Sequence, residues 1–138
     1  MALSVTSWPQ ATAFRVVYEN AVTTTVQKNV TGAPGIIRTI VLDNTQGAAA
    51  CYLRIVDGFT ATSGTTEPDW LFRAATGKTE VITIGDGGEF AEALTFWATR
   101  NVAYNDNTQP NVVTDGTVKV TIVVEDSTSE SSALGPGY

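Results

Sequence analysis

CYLRIVDG (residues 51–58), DWLFRAA (69–75), TEVITIG (79–85) and LTFWATRNVAY (94–104), closing on Asn105-Asp106-Asn107-Thr108, decide the fold of this chain. Apolar residues recur in them with the period of two that marks a half-buried strand, not the 3.6 of a helix. Cys51, Leu53 and Ile55 alternate with Tyr52, Arg54 and Val56, and Leu94, Phe96 and Ala98 alternate with Thr95, Trp97 and Thr99. Trp70 and Phe72 begin a further strand, and Val81–Ile84 is another. Between them stand Asp57-Gly58, Thr76-Gly77-Lys78 and Asp86-Gly87-Gly88, residue types that favour tight turns. The polar stretch Thr60–Glu67, ended by Pro68, reads as a loop.

The same period extends outward. Phe14–Tyr18 reads as a strand, and Val22, Thr24, Val26, Lys28 and Val30 oppose Thr23, Thr25, Gln27, Asn29 and Thr31 in a second. Ile36–Asn44 is apolar at both parities, with Ile36, Ile40 and Leu42 on one and Ile37 and Val41 on the other. Such a strand is covered on both sides or lies in a subunit contact. Val118, Val120, Ile122 and Val124 define a long closing strand. About eight short strands with even turn spacing predict an all-β antiparallel β-sandwich, with a jelly roll as first choice. An immunoglobulin sandwich lacks its cysteine pair here, and no fixed-period repeat supports a solenoid or propeller.

The chain has 138 residues, 43% of them hydrophobic and 16% charged, which suits one globular domain with its own core. We expect the sandwich over residues 14–125, an amino-terminal arm over 1–13 and a Ser/Gly-rich tail over 126–138. The net charge of −6 comes from 14 acidic and 8 basic residues without basic clusters, so nucleic acid and anionic membrane are not expected partners. Arg15, Arg38, Arg54, Arg73 and Arg100 each sit alone in a β-like segment, as on a solvated strand face or in a cross-strand ion pair. MALSVTSWPQ has neither a basic region nor an apolar stretch of signal-peptide length, so export through a signal peptide is not expected.

The chain has one cysteine, Cys51, and no histidine, which excludes an intrachain disulfide, His-based nucleophilic triads and the usual transition-metal ligand sets. A Ser-Lys dyad would need Lys28, Lys78 or Lys119, in strands or a turn with no sign of desolvation. Glu67 with Asp69, and Glu89 with Glu92, are carboxylate pairs beside turns and read as solvated loop charges. Asp86-Gly87-Gly88-Glu89 and Asn105-Asp106-Asn107 have the composition of calcium-loop fragments without the full spacing. No phosphate-binding glycine loop is present. No enzyme activity, cofactor or metal is expected. Trp97 interrupts the polar parity of its strand and is the candidate exposed aromatic of a sugar-binding platform; packing under a loop or at a subunit interface is the competing and preferred reading.

The run AACYLRIVDGFTATSGTTEPDWLFRAATGKTEVITIGDGGEF (49–90), followed by LTFWATRNVAYNDNTQP (94–110), resembles a β-sandwich module of tailed-bacteriophage structural proteins. The matching features are Tyr52-Leu53-Arg54, the loop to Glu67, the strand from Pro68, Val81–Ile84, Leu94–Arg100 and the Asn105–Thr108 loop. The resemblance implies a virion component, most like a capsid decoration (cement) protein, since the chain has no extension for a fibre or spike. It also implies a homotrimer on the major capsid protein, at the capsid exterior, made in the host cytoplasm. Weak contacts repeated by symmetry suit a His-free, Thr-rich sandwich. A tail, neck or head-fibre component is the alternative, and a carbohydrate-binding module the second. Expected subunit contacts are Trp8, Ile37, Val41, Trp97, Leu134 and Tyr138, with the Thr60–Glu67 loop and the two termini as contact surfaces.

Overall fold

The computed structural model describes residues 3–7, 14–110 and 117–126. Trp8, Leu134, Tyr138 and the tail beyond Asp126 lie outside the described residues. The described chain is all-β, with strands β1 (Leu3–Ser7), β2 (Phe14–Glu19), β3 (Gly35–Asp43), β4 (Cys51–Asp57), β5 (Trp70–Ala74), β6 (Thr79–Phe90), β7 (Leu94–Thr99) and β8 (Lys119–Asp126). They form two antiparallel sheets, one of five strands in the order β1-β2-β8-β3-β6 and one of three in the order β5-β4-β7.

The eight observed strands are not the eight expected. Leu3–Ser7, placed in an arm by sequence, pairs residue for residue with β2, from Leu3 opposite Glu19 to Ser7 opposite Arg15. Residues 22–30, despite their alternation, make only one bridge, Gln27 to Phe96. This segment crosses between sheets. The Val22 amide donates to the carbonyl of Val118, just before β8 of the first sheet, while Thr23, Gln27 and Val30 hydrogen-bond to Ala98, Phe96 and Leu94 of β7. The crossing needs an irregular backbone, with Asn29 at φ 50°, which breaks a regular ladder. The chain is thereby folded back on itself in nested pairs: β2 with β8, residues 23–30 with β7, β3 with β6, and β4 with β5.

The core lies between the sheets. Val17, Ile37, Ile40, Leu42, Phe90, Val120, Ile122 and Val124 of one layer pack with Cys51, Leu53, Ile55, Ala74, Leu94, Phe96 and Ala98 of the other. Each fully buried aliphatic side chain contributes about 1.5–3 kcal/mol, so this interior is the main source of stability.

β3 explains its own double parity. The inward residues are Ile37, Ile40 and Leu42, and the register against β6 and β8 shifts between Ile37 and Thr39. A bulge at Arg38 inverts the alternation, so Ile37 points inward although Ile40, three residues on, does too. Ile36 and Val41 are left on the outer face, half-buried. Opposite the bulge, Asp86-Gly87-Gly88 does not end a strand as expected; it is an irregularity within the continuous β6. Gly87 lies at φ 82°, and a Cβ there would collide with Ile36 and Arg38, so the bulge requires glycine.

Candidate interaction surface

The two sheets differ in what covers their outer faces. Thr95, Trp97 and Thr99 lie on the outer parity of β7, yet all six residues of β7 are buried. Three segments of the chain's own backbone lie over them. Trp97 is fully buried in a small cluster with Val56, Ala61 and Val26. The Thr95 hydroxyl donates to the Gly58 carbonyl at 2.7 Å and accepts from the Asn29 amide at 3.0 Å. The covering segments also hold one another: Ser63 Oγ donates to Asn107 Oδ1 at 2.6 Å, and the Thr24 amide donates to Gln109 Oε1 at 3.1 Å.

Arg54 anchors this cover, and the sequence did not signal it. It stands on the outer face of β4 between Tyr52 and Val56 and has no exposed surface. Its Nε donates to Thr99 Oγ1 at 2.8 Å, and its terminal nitrogens donate to the carbonyls of Asn101 at 2.8 Å, Ala103 at 2.7 Å and Tyr104 at 3.2 Å. A buried guanidinium is tolerable only when its donors are satisfied in this way. Burial lowers the Arg54 pKa, and the nearby Asp106 charge opposes that shift.

The Asn105-Asp106-Asn107 loop is held by hydrogen bonds. The Asp106 carboxylate accepts from the Asn101 amide and Nδ2, and from the Thr108 amide and hydroxyl, at 2.9–3.3 Å. Burial pushes the Asp106 carboxyl up, but these four bonds outweigh it and hold it below the ordinary value. No group of three or more potential metal-ligating side chains occurs among the described residues. Glu67, Asp69, Glu89 and Glu92 are all exposed. Asp69 is spent on the chain itself, accepting from the Asp57 amide at 2.7 Å.

The outer face of the five-stranded sheet is exposed at Tyr18, Val81 and Thr83 and half-buried at Val16, Thr39, Val41, Thr121 and Val123. Its central cross-strand rows are Val16–Val123–Thr39–Thr83 and Tyr18–Thr121–Val41–Val81. These eight residues are uncharged, and Val81 is 65% and Tyr18 36% exposed. Charges stand beyond the rows, toward the strand ends. Arg38 binds Glu125 through Nε and a terminal nitrogen at 2.8 and 2.6 Å as a cross-strand ion pair, whereas Arg15 and Asp126, paired at 2.7 Å, have the inner parity of Val17 and Val124. At the other end Lys119 faces Asp43.

Of the expected subunit contacts, Val41 lies on this open face. Ile37 and Trp97 are fully buried inside the chain, Ile37 through the β3 bulge and Trp97 beneath its own loops; neither has surface to offer a neighbour, and Trp97 is no exposed sugar platform. The Thr60–Glu67 loop is engaged by the Asn107 side chain. The solvated-arginine reading fails for Arg54, and it holds for Arg15 and Arg38 as cross-strand pairs. A second surface feature is a shallow depression of about 430 Å³ lined by Ala49, Ala50, Tyr52, Arg100, Asn101, Val102 and Ala103. No helix among the described residues is long and apolar enough to cross a membrane. Comparison of the chain with protein-family models, curated proteins and solved structures finds no match.

Proposed function

We propose that this chain is a non-enzymatic virion structural protein of a tailed phage that decorates and stabilises the capsid shell, bound as a trimer to the major capsid protein. The observation that carries the reading is the asymmetry between the sheets: one outer face is sealed by the chain's own loops, the other carries eight uncharged, exposed or half-buried residues in two cross-strand rows. A face of four strands at ~4.8 Å spacing and two or three rows at ~7 Å covers on the order of 300–400 Å², well below the ~800 Å² per partner of a stable binary complex. A contact of that size becomes tight when it is repeated by symmetry on an ordered lattice. The nested strand pairs support the jelly-roll form of the sandwich, and the sequence resemblance supports the virion setting. Neither nucleic acid nor membrane is a partner in this reading.

Copy number in purified particles tests it. Hundreds of copies per virion, released together with a loss of shell stability, are expected. Absence from the particle overturns the reading, and a handful of copies near the tail moves the protein to the neck or tail.

A further inference from the structure

We propose that the depression between Ala49, Ala50 and Tyr52 on one side and Arg100–Ala103 on the other is a recognition site for a carboxylate side chain of an acidic polypeptide. Arg100 lines it, half-exposed, and makes no ion pair or hydrogen bond through its side chain among the described residues. In a chain of net charge −6, Arg15 and Arg38 are paired with carboxylates, Arg54 is buried and Arg73 is exposed on β5 outside the depression, so Arg100 is the unpaired arginine of a concave site, available to an anion from outside. Its planar fork matches a carboxylate in two parallel hydrogen bonds.

The wall beside it is built for the same charge. Arg54 draws the carbonyls of Asn101 and Ala103 inward, and in a trans peptide the N–H of the next residue points the opposite way. The amide of Val102, which lines the depression, is therefore directed away from Arg54 and has no acceptor among the described residues. An oriented, unpaired amide of this kind favours anions. The one carboxylate of the loop, Asp106, is occupied by Asn101 and Thr108. Val102, 58% exposed, adds an apolar lining that suits a side chain adjoining the acidic one and not a bare ion. The inference stands on these residues and not on the virion reading.

The test is fluorescence anisotropy of a fluorescein-labelled hexaglutamate peptide titrated with the full chain at low salt, alongside amide chemical shifts. Saturable binding is expected, with shifts at Ala50, Val102 and Ala103. Arg100→Gln should weaken it at least tenfold with the thermal midpoint unchanged, whereas Lys28→Gln, the same charge change at an exposed site on the crossing segment, should weaken it less than twofold. No binding, equal loss in both variants, or shifts confined to other residues overturns the proposal. Displacement of the peptide by an equal concentration of inorganic phosphate also overturns it, because the site would then take any free oxyanion.

Discussion

Arg54→Met isolates the buried guanidinium. Methionine fills most of the aliphatic volume, so packing against Tyr52 and Val56 is largely kept while four hydrogen bonds disappear. Each bond to a charged group is worth ~1.5–3 kcal/mol, but removing the cation also removes its desolvation cost of several kcal/mol. What remains is the loss of partner at the carbonyls of Ala103 and Tyr104, since the Asn101 carbonyl still accepts from the Thr99 hydroxyl at 3.0 Å. Those residues lie at the surface, where water reaches them in part, so about 1 kcal/mol each and about 2 kcal/mol together is the expected destabilisation. For a chain of this size that lowers the thermal midpoint by about 7 °C. Urea unfolding followed by tryptophan fluorescence measures it, since Trp97 is the cross-strand neighbour of Arg54. Limited trypsin digestion supplies the local readout: the Arg100–Asn101 bond should be cut in the variant long before global unfolding. Arg73→Met, at an exposed position of β5, should cost less than ~0.5 kcal/mol. A variant at position 54 within about 0.5 kcal/mol of the parent, with the Arg100–Asn101 bond still protected, would refute the reasoning.

Gly87→Ala should destabilise by about 2 kcal/mol, because it puts a Cβ at positive φ against Ile36 and Arg38; denaturant midpoints measure this. Cys51 is buried, and burial outweighs its other influences and pushes its thiol up to about 11. The native protein should therefore resist a thiol-labelling reagent at pH 8 and react fully in urea. The bonds from Thr45 hold the Asp43 carboxyl below its ordinary value of 3.8, and Asp106 is lowered as well. A carboxyl depressed on folding contributes stability that is full above its unfolded value and lost as pH falls through the folded one. Stability should thus fall below about pH 4, and the fall should be shallower in Asp106→Asn; a pH titration of the urea midpoint checks both.

The period of two in 51–58, 69–75, 79–85, 94–99 and 118–124 was enough to determine an all-β sandwich and most of its inward residues, because alternation is a property of each strand alone. Asp57-Gly58 and Thr76-Gly77-Lys78 marked their turns for the same local reason. The tertiary structure decided the rest. That Val22–Val30 crosses between layers and Leu3–Ser7 supplies the eighth strand depends on which edges are free, and edges exist only once the sheets have formed. The inversion at Arg38 depends on β6 and β8 lying on either side of β3. The fates of Trp97 and Arg54 were illegible in sequence because both lie on the outer parity of their strands, and the loops that bury them come from residues 58–67 and 101–109. A strand pattern records only which side of the sheet a residue faces; whether that side meets water, a loop or a partner is set by segments distant in the chain.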